Sequence, residues 1–324
     1  MDAVVLAGGY ATRLWPVTRH RPKMFLPVGD ELVVDHIFVA LEADDRIDDV
    51  YVSTNEYFAE EFRAHLAERD YDKAELSVED TTHEDEKFGV VGALAQLVDR
   101  EGLDDDTLVI AGDNVIGFDV SDFLDFFEAR DDPVLAAYDV GDPADASAYS
   151  TVELDGEVVT DFQEKPPDPQ TSLISIACYA FPGETLPRLQ EYLDDDNNPD
   201  EPGWFLQWLQ ARDTVRAFSF EGAWFDIGTP ESYLDAVAWE LDGDTMVADD
   251  ATVEDSALGE NVQVLPGAEI TGSHVAGSVV FEDATVRDCE MRHSLVDDQA
   301  VVEHVDFSDG VLGAYSRIDG SGAE

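Results

Sequence analysis

From Met246 onward a single rhythm governs the chain. Val247, Val253, Val264, Ile270, Val280 and Val286 mark steps of six residues, with Leu258 and Val296 slightly out of phase. Small residues, Asp and Gly fill the intervals, as in Leu258-Gly259-Glu260-Asn261-Val262. A hexapeptide period leaves little architectural choice. It predicts a left-handed parallel β-helix in which each coil stacks on the one below, with roughly three to five coils before the chain ends.

Upstream the pattern differs. Ala3-Val4-Val5-Leu6-Ala7 and Thr107-Leu108-Val109-Ile110-Ala111 are continuous apolar runs of strand length, stopped by Gly8-Gly9 and Gly112. Strands at 49–53 and 75–78 alternate with helical spacing over 34–43, 56–68 and 90–99. This alternation predicts an α/β fold: a mostly parallel mixed sheet sandwiched by helices, Rossmann-like. Residues 149–154 and 158–162 read as a hairpin around Asp155-Gly156, followed by strands at 172–181 and 215–220. Trp204 to Leu209 reads as a packed helix with its aromatics at i, i+4 on a core face. Thr229 and Pro230 are the expected N-cap and first residue of a later helix. Two domains follow, residues 1–243 and residues 244–324. Ligands of open parallel sheets sit at the carboxyl ends of strands, where Gly8-Gly9 and Asp113 both fall.

Charge narrows the partners. The chain has 74 acidic residues against 18 Lys and Arg, a formal net charge of −56. Hydrophobic content of 44% and five Trp exclude a disordered polyanion. Such a surface suits the high-salt cytoplasm of a halophilic microbe, since ~1 M salt shortens the Debye length to about 3 Å and silences self-repulsion. Nucleic acid and anionic membrane are not expected partners. Cys178 and Cys289 lack metal-ligand spacing, and no signal peptide or membrane span precedes the first strand, so a reduced cytoplasmic protein is expected.

Within this acidic chain, Ala3 to Gly29 contains no Asp or Glu, but it does contain Arg13, Arg19, Arg21 and Lys23. At the chain's acid frequency such a window arises roughly once in a thousand. A buried strand opening into Gly8-Gly9 lets backbone N–H groups approach an anion without interference from Cβ, and Arg13 and Lys23 can add full charges. The stretch is a candidate polyphosphate site. It is neither a P-loop nor a dinucleotide fingerprint: no Gly-Lys-Ser/Thr follows at the required spacing, and Gly8-Gly9-Tyr10-Ala11-Thr12-Arg13 lacks the third glycine and runs into Pro16.

Leu6-Ala7-Gly8-Gly9-Tyr10-Ala11-Thr12-Arg13-Leu14-x-Pro16, followed by Pro22-Lys23, resembles the signature of the sugar-1-phosphate nucleotidylyltransferases. One departure is Ala11, where that family usually has glycine. The resemblance implies a nucleotide-diphospho-sugar transferase-like fold and a nucleotide site at Leu6, Ala7, Gly8, Gly9, Thr12, Arg13, Gly89 and Gly112. An Asp after a strand is often a turn residue or N-cap, but Gly112-Asp113-Asn114 matches the family's magnesium-binding aspartate. Trp224-Phe225-Asp226-Ile227-Gly228-Thr229-Pro230 resembles the segment that carries the second magnesium ligand, Asp226. Glu164-Lys165-Pro166, otherwise readable as a surface ion pair, matches the motif whose Glu holds sugar hydroxyls and whose Lys meets the sugar phosphate. Ser175 and Ala177 would line the sugar pocket, where the family commonly shows Asn and Gly. Near the base, Glu79-Asp80 stands where a thymidylyl enzyme shows Gln.

The implied reaction joins a nucleoside triphosphate and a sugar-1-phosphate, with Mg²⁺ as cofactor. Arg13, Lys23 and Lys165 are the catalytic cations, and Asp113 and Asp226 the metal ligands. Glucose-1-phosphate with dTTP or UTP is the first choice of substrates, and mannose-1-phosphate with GTP the alternative. A catalytically silent, sugar-nucleotide-binding regulatory subunit is the rival from another class. The β-helix is expected to serve oligomerisation or regulation, with a homo-oligomer formed through it or through the catalytic domain. His274, His293 and His304 are candidate bases for acyl transfer, but no long substrate loop interrupts the coils.

Overall fold

The computed structural model describes residues 1–9, 11–69, 71–79 and 89–322. The expectations that fall on Tyr10 and Asp80 lie outside the described residues. The chain forms two compact units, one of Met1–Gly9 with His36–Trp224 and one of Tyr10–Asp35 with Phe225–Glu324.

The first unit is built on a nine-stranded mixed sheet. Its strands are β1 (Asp2–Leu6), β2 (Val50–Asn55), β3 (Ala74–Glu79), β4 (Thr107–Ala111), β5 (Val134–Asp139), β6 (Ser150–Asp155), β7 (Val158–Gln163), β8 (Leu173–Phe181) and β9 (Arg216–Ser219). Their spatial order is β3-β2-β1-β4-β8-β5-β9-β7-β6. The run β3-β2-β1-β4 is parallel, and β8 enters antiparallel to both β4 and β5. Leu6 pairs with Ser53 on one side and Ala111 on the other, so Gly8-Gly9 and Gly112-Asp113 leave the sheet at the same edge. β3 ends there too, with Glu79 opposite Asn55. The expected hairpin joins β6 to β7 and turns on Gly156 at φ 64°.

Among the described residues the α-helices are α1 (Val33–Ala43), α2 (Ala59–Arg69), α3 (Val90–Glu101), α4 (Val120–Glu128), α5 (Pro187–Asp194), α6 (Pro202–Gln210) and α7 (Pro230–Leu241). Successive residues of a strand face opposite sides, yet Ala3, Val4 and Val5 are all fully buried, so β1 is covered on both faces. One face packs Val4, Val109 and Leu135 with Leu94 of α3, Leu189 of α5 and Phe205 of α6. The core side of α6 is Phe205, Leu206, Trp208 and Leu209. Trp204 departs from the expected i, i+4 aromatic face: it sits in the first helical turn, on the flank of that face, and is exposed.

The second unit contains the left-handed parallel β-helix. Its strands form three stacks. One runs from Thr245–Val247 through Val262–Val264, Val279–Val280 and Leu295–Val296 to Val311–Leu312. Val264, Val280 and Val296 stack in register and point into the coil interior. Register partners lie 17 residues apart at the first coil (Thr245 with Val262) and 16 thereafter (Gln263 with Val279, Val279 with Leu295), short of the 18 of three full hexapeptides. The shortfall comes from five-residue steps between interior residues, such as Ile270 to Val275 and Val275 to Val280, and Leu258 and Val296 slip out of phase because each ends such a step. Residues 11–35, with α7, belong to this same unit.

Candidate active site

In the second unit the signature continues from Ala11, which is left-handed at φ 49°, ψ 43°. The turn demands the conformation that a glycine adopts freely, and alanine accepts it at a cost of about 1–2 kcal/mol. Thr18 Oγ1 donates to Ala11 O at 2.8 Å and braces the turn. Thr12 and Arg13 are exposed, while Lys23 is 9% exposed. Lys23 Nζ lies 4.0 Å from Asp226 Oδ1. The Arg13 guanidinium lies against Gly228, where an added Cβ would stand 2.8 Å from Nη2 and 3.7 Å from Asp226 Oδ2. Arg13, Lys23 and Asp226 thus gather around one backbone turn, which the Thr229 capping box of α7 fixes. Two cations beside one carboxylate suit a group of higher negative charge than a carboxylate.

The first unit holds the other candidates. At the sheet edge, Asn55 Nδ2 donates to Gly8 O at 2.9 Å. The Glu79 carboxylate closes over Gly8, with Oε1 3.0 Å from where a Cβ would stand, and accepts from Ser53 Oγ at 3.1 Å. Burial pushes the Glu79 carboxyl above its ordinary value, against the opposing hydrogen bond from Ser53 and the charge of Arg100. Leu6 and Ala7 supply the strand end, and Gly112 N–H donates to Leu6 O at 2.9 Å. Beside them, Trp224 Nε1 donates to Asn114 Oδ1 at 2.6 Å, and Asn114 Nδ2 donates to Asp113 Oδ1 at 2.9 Å. An indole N–H can only donate, so it fixes which way the buried Asn114 amide faces and aims its NH₂ at Asp113. Gly89 packs against the Pro199 backbone at φ 75°, which leaves no space for a side chain.

Glu164 is buried and accepts from Ser150 Oγ, and its own N–H donates to Gln207 Oε1 at 3.2 Å. Burial raises its carboxyl above the ordinary value, opposed by Ser150 and by Lys165. Lys165 has a positive φ of 44°, uncommon for a long side chain. Its Nζ lies 2.5 Å from Glu201 Oε1 and 3.9 Å from Glu164 Oε1. Ser175 pairs with Ser150 across β8 and β6, and the pairing of β8 with β5 shifts register between Ser175 and Tyr179, around Ala177. Sequence reasoning missed Ser150, Glu201 and the indole of Trp224, because each acts on a partner remote in the chain, and it missed Asn114, which sits next to Asp113 but is oriented by that remote indole. Gly203 was equally unmarked, yet a Cβ there would overlap the Glu164 carboxylate and crowd Ser150. On the expectation that Glu164 holds sugar hydroxyls, a Gly203→Ala protein should fold but lose at least tenfold in kcat/KM for a sugar phosphate, with nucleotide affinity unchanged. Steady-state kinetics with each substrate varied will check this.

Among the described residues no three His, Cys, Asp or Glu side chains converge as a metal cage. Magnesium needs less: one or two hard carboxylate oxygens together with substrate phosphates, a donor type that Asp113 and Asp226 fit. No helix among the described residues is long and apolar enough to cross a membrane.

Residues 2–242 match the family model described as nucleotidyl transferase. The chain is 31% identical to a Mycobacterium tuberculosis protein named mannose-1-phosphate guanylyltransferase, over 88% of this chain and 81% of that one. It is 30% identical to a Sulfolobus acidocaldarius protein provisionally named mannose-1-phosphate guanyltransferase, over 72% of this chain but only 61% of the relative's length. A crystal structure from Bacillus anthracis, provisionally named glucose-1-phosphate thymidylyltransferase, shares the fold with a TM-score of 0.63. It is 23% identical, and the match covers 74% of this chain and 94% of that one.

Proposed function

Since the chain belongs to the nucleotidyl transferase family, we propose that it moves a nucleotidyl group from a nucleoside triphosphate to a sugar-1-phosphate, releasing pyrophosphate. The observation that carries this reading is the placement of cations in a chain of net charge −56: Lys23 is buried beside Asp226, with Arg13 on the same turn. Bringing two phosphate charges to about 4 Å at an effective dielectric near 20 costs roughly 4 kcal/mol, or about a thousandfold in rate. Catalysis is then charge neutralisation and in-line positioning. Arg13 steadies the β- and γ-phosphates, Lys23 the α-phosphate, and Lys165 the incoming sugar phosphate, for which a phosphate must compete with Glu201. Glu164, held by Ser150, accepts from sugar hydroxyls. Asp113 and Asp226 would each offer a carboxylate to magnesium, which would supply further positive charge to the phosphates. The attacking phosphate oxygen is already ionised, so no side chain need serve as general base.

Pyrophosphate release in several molar KCl, with four nucleotides crossed against glucose-, mannose- and N-acetylglucosamine-1-phosphate, tests the proposal. Release with at least one pair is expected. Binding without release by any pair would instead identify the silent regulatory subunit. A high-salt cytoplasm and a homo-oligomer are part of this reading, motivated by the acidic surface and the β-helix.

Glucose-1-phosphate with dTTP or UTP is the pair favoured by general resemblance, but Glu79 favours GTP. A carboxylate over Gly8 repels a phosphate and accepts N–H groups. Guanine is the common base that offers two neighbouring donors, N1–H and the 2-amino group, to the two oxygens of one carboxylate. Uracil and thymine offer one donor flanked by acceptors. Glu79→Gln should lower kcat/KM for GTP by about 10- to 100-fold while raising that for UTP or dTTP. The KM for GTP should also rise as pH falls through a midpoint above the ordinary 4.5 of a glutamate, because protonation removes an acceptor; in the Gln variant this dependence disappears. An unchanged base preference would remove Glu79 from the base site.

A further inference from the structure

Val262 and Val264 point into the β-helix interior, so Gln263 between them points outward. An outward glutamine on a coil is ordinarily solvated. Gln263 is 0% exposed, and both ends of its amide are engaged: Gly29 N–H donates to Oε1 at 3.2 Å, and Nε2 donates to Gly29 O at 3.1 Å. One side chain thereby satisfies the whole backbone complement of a residue, as a neighbouring strand would. Its stack partners Val279 and Leu295, also outward, are equally buried. On the coil of Leu295, Asp297, 1% exposed, receives Arg21 Nη2 at 2.6 Å on Oδ1 and Ala314 N–H at 3.0 Å on Oδ2. Asp298 takes the same Arg21 nitrogen at 2.7 Å, and the guanidinium lies 5.0 Å from the Phe281 ring centroid. From α7, Tyr233 O–H donates to Pro27 O at 2.7 Å. The segment is gripped at Arg21, Pro27 and Gly29. Lys23 lies inside the gripped stretch.

A buried ion pair gives little net stability against an apolar pair of the same shape, because desolvation offsets attraction. Here burial, with the neighbouring charge of Asp298, pushes the Asp297 carboxyl up despite Arg21 and the backbone N–H groups it accepts from. Stability therefore does not explain why the β-helix carries this charge inward against the segment; geometry does. We infer that Asp297 and Gln263 are positioning residues that hold Arg13 and Lys23 in their working places, which makes the β-helix part of the catalytic apparatus. This rests on the phosphate-binding reading of those two cations.

The test uses the full chain in several molar KCl and compares the wild type with Asp297→Asn, Asp297→Glu and Gln263→Ala. Glu290→Gln, on another stack, serves as control. Amide exchange over residues 12–28 is measured with and without triphosphate and magnesium, alongside kcat, KM and Tm. Asp297→Asn and Gln263→Ala should each speed exchange in that segment at least tenfold. Each should also lower kcat at least tenfold, with KM for the sugar phosphate within about twofold and a folded, cooperative melt. Asp297→Glu should recover part of the loss, and the control should match the wild type. Unchanged exchange over 12–28 in both variants overturns the inference, whatever the enzyme's activity. Faster exchange with undiminished kcat also overturns it. If the wild type releases no pyrophosphate with any pair, the proposed function falls separately. Exchange protection by triphosphate then decides: its loss in the two variants supports positioning, and its persistence refutes it. Should Asp297→Asn not fold, Gln263→Ala, which leaves no charge unpaired, carries the comparison.

Discussion

An Asp113→Ala protein should turn over at about one-thousandth of the wild-type rate or less, and bind triphosphate weakly in the presence of magnesium. Asp113 stands at the carboxyl end of β4, beside the strand that ends in Gly8-Gly9. Its carboxylate is aimed by a relay in which Trp224 fixes Asn114 and Asn114 fixes Asp113. A preset charge of this kind needs no reorganisation as the reaction proceeds, which is where electrostatic catalysis gains most. Alanine also leaves the buried Asn114 NH₂ without this acceptor, at a cost of about 1–3 kcal/mol in stability. Thermal melts must therefore accompany the kinetics. Asp113→Asn keeps the shape and separates the two effects: it should fold as the wild type does yet share the loss of turnover. The measurement is pyrophosphate release across a magnesium titration, with triphosphate binding followed by calorimetry. Undiminished turnover in either variant would remove Asp113 from the metal site.

Local rules made the scaffold legible. Apolar runs ending in glycine located β1 and β4, Thr229-Pro230 located the start of α7, and the hexapeptide rhythm located the coils. Ala11 was legible only as a non-glycine in a glycine position; that the turn there is left-handed, at φ 49°, is visible in the structure alone. The support of the candidate site was not legible. Glu201 reaches Lys165 across 36 residues, Asp297 reaches Arg21 across 276, and Trp224 reaches Asn114 across 110. No period or spacing encodes contacts made by the tertiary fold. Trp204 shows the converse limit. Helical spacing alone cannot tell the flank of a buried face from its centre, and the flank is where this residue sits.

The acidic surface bears on how these cations will behave in salt, and Lys23 gives the sharpest case. Lys23→Met should lower kcat by about a thousandfold with KM for the triphosphate little changed. The figure follows from removing one unit charge about 4 Å from a developing phosphate charge at an effective dielectric near 20, roughly 4 kcal/mol. Methionine fills the same volume, so the fold should survive, although Asp226 loses the ammonium 4.0 Å away. Lys23→Arg should not rescue turnover: the side chain is 9% exposed, and a planar fork does not fit the space of a compact ammonium. Salt separates Lys23 from Arg13. An exposed guanidinium is screened within about 3 Å at ~1 M salt, whereas a buried ammonium is largely shielded from counter-ions. The defect of Lys23→Met should therefore be as large in several molar KCl as at the lowest salt in which the protein stays folded. The defect of Arg13→Ala should shrink as salt rises. If both variants showed the same salt dependence, Lys23 would be acting as a surface charge, and its place at the α-phosphate would have to be given up.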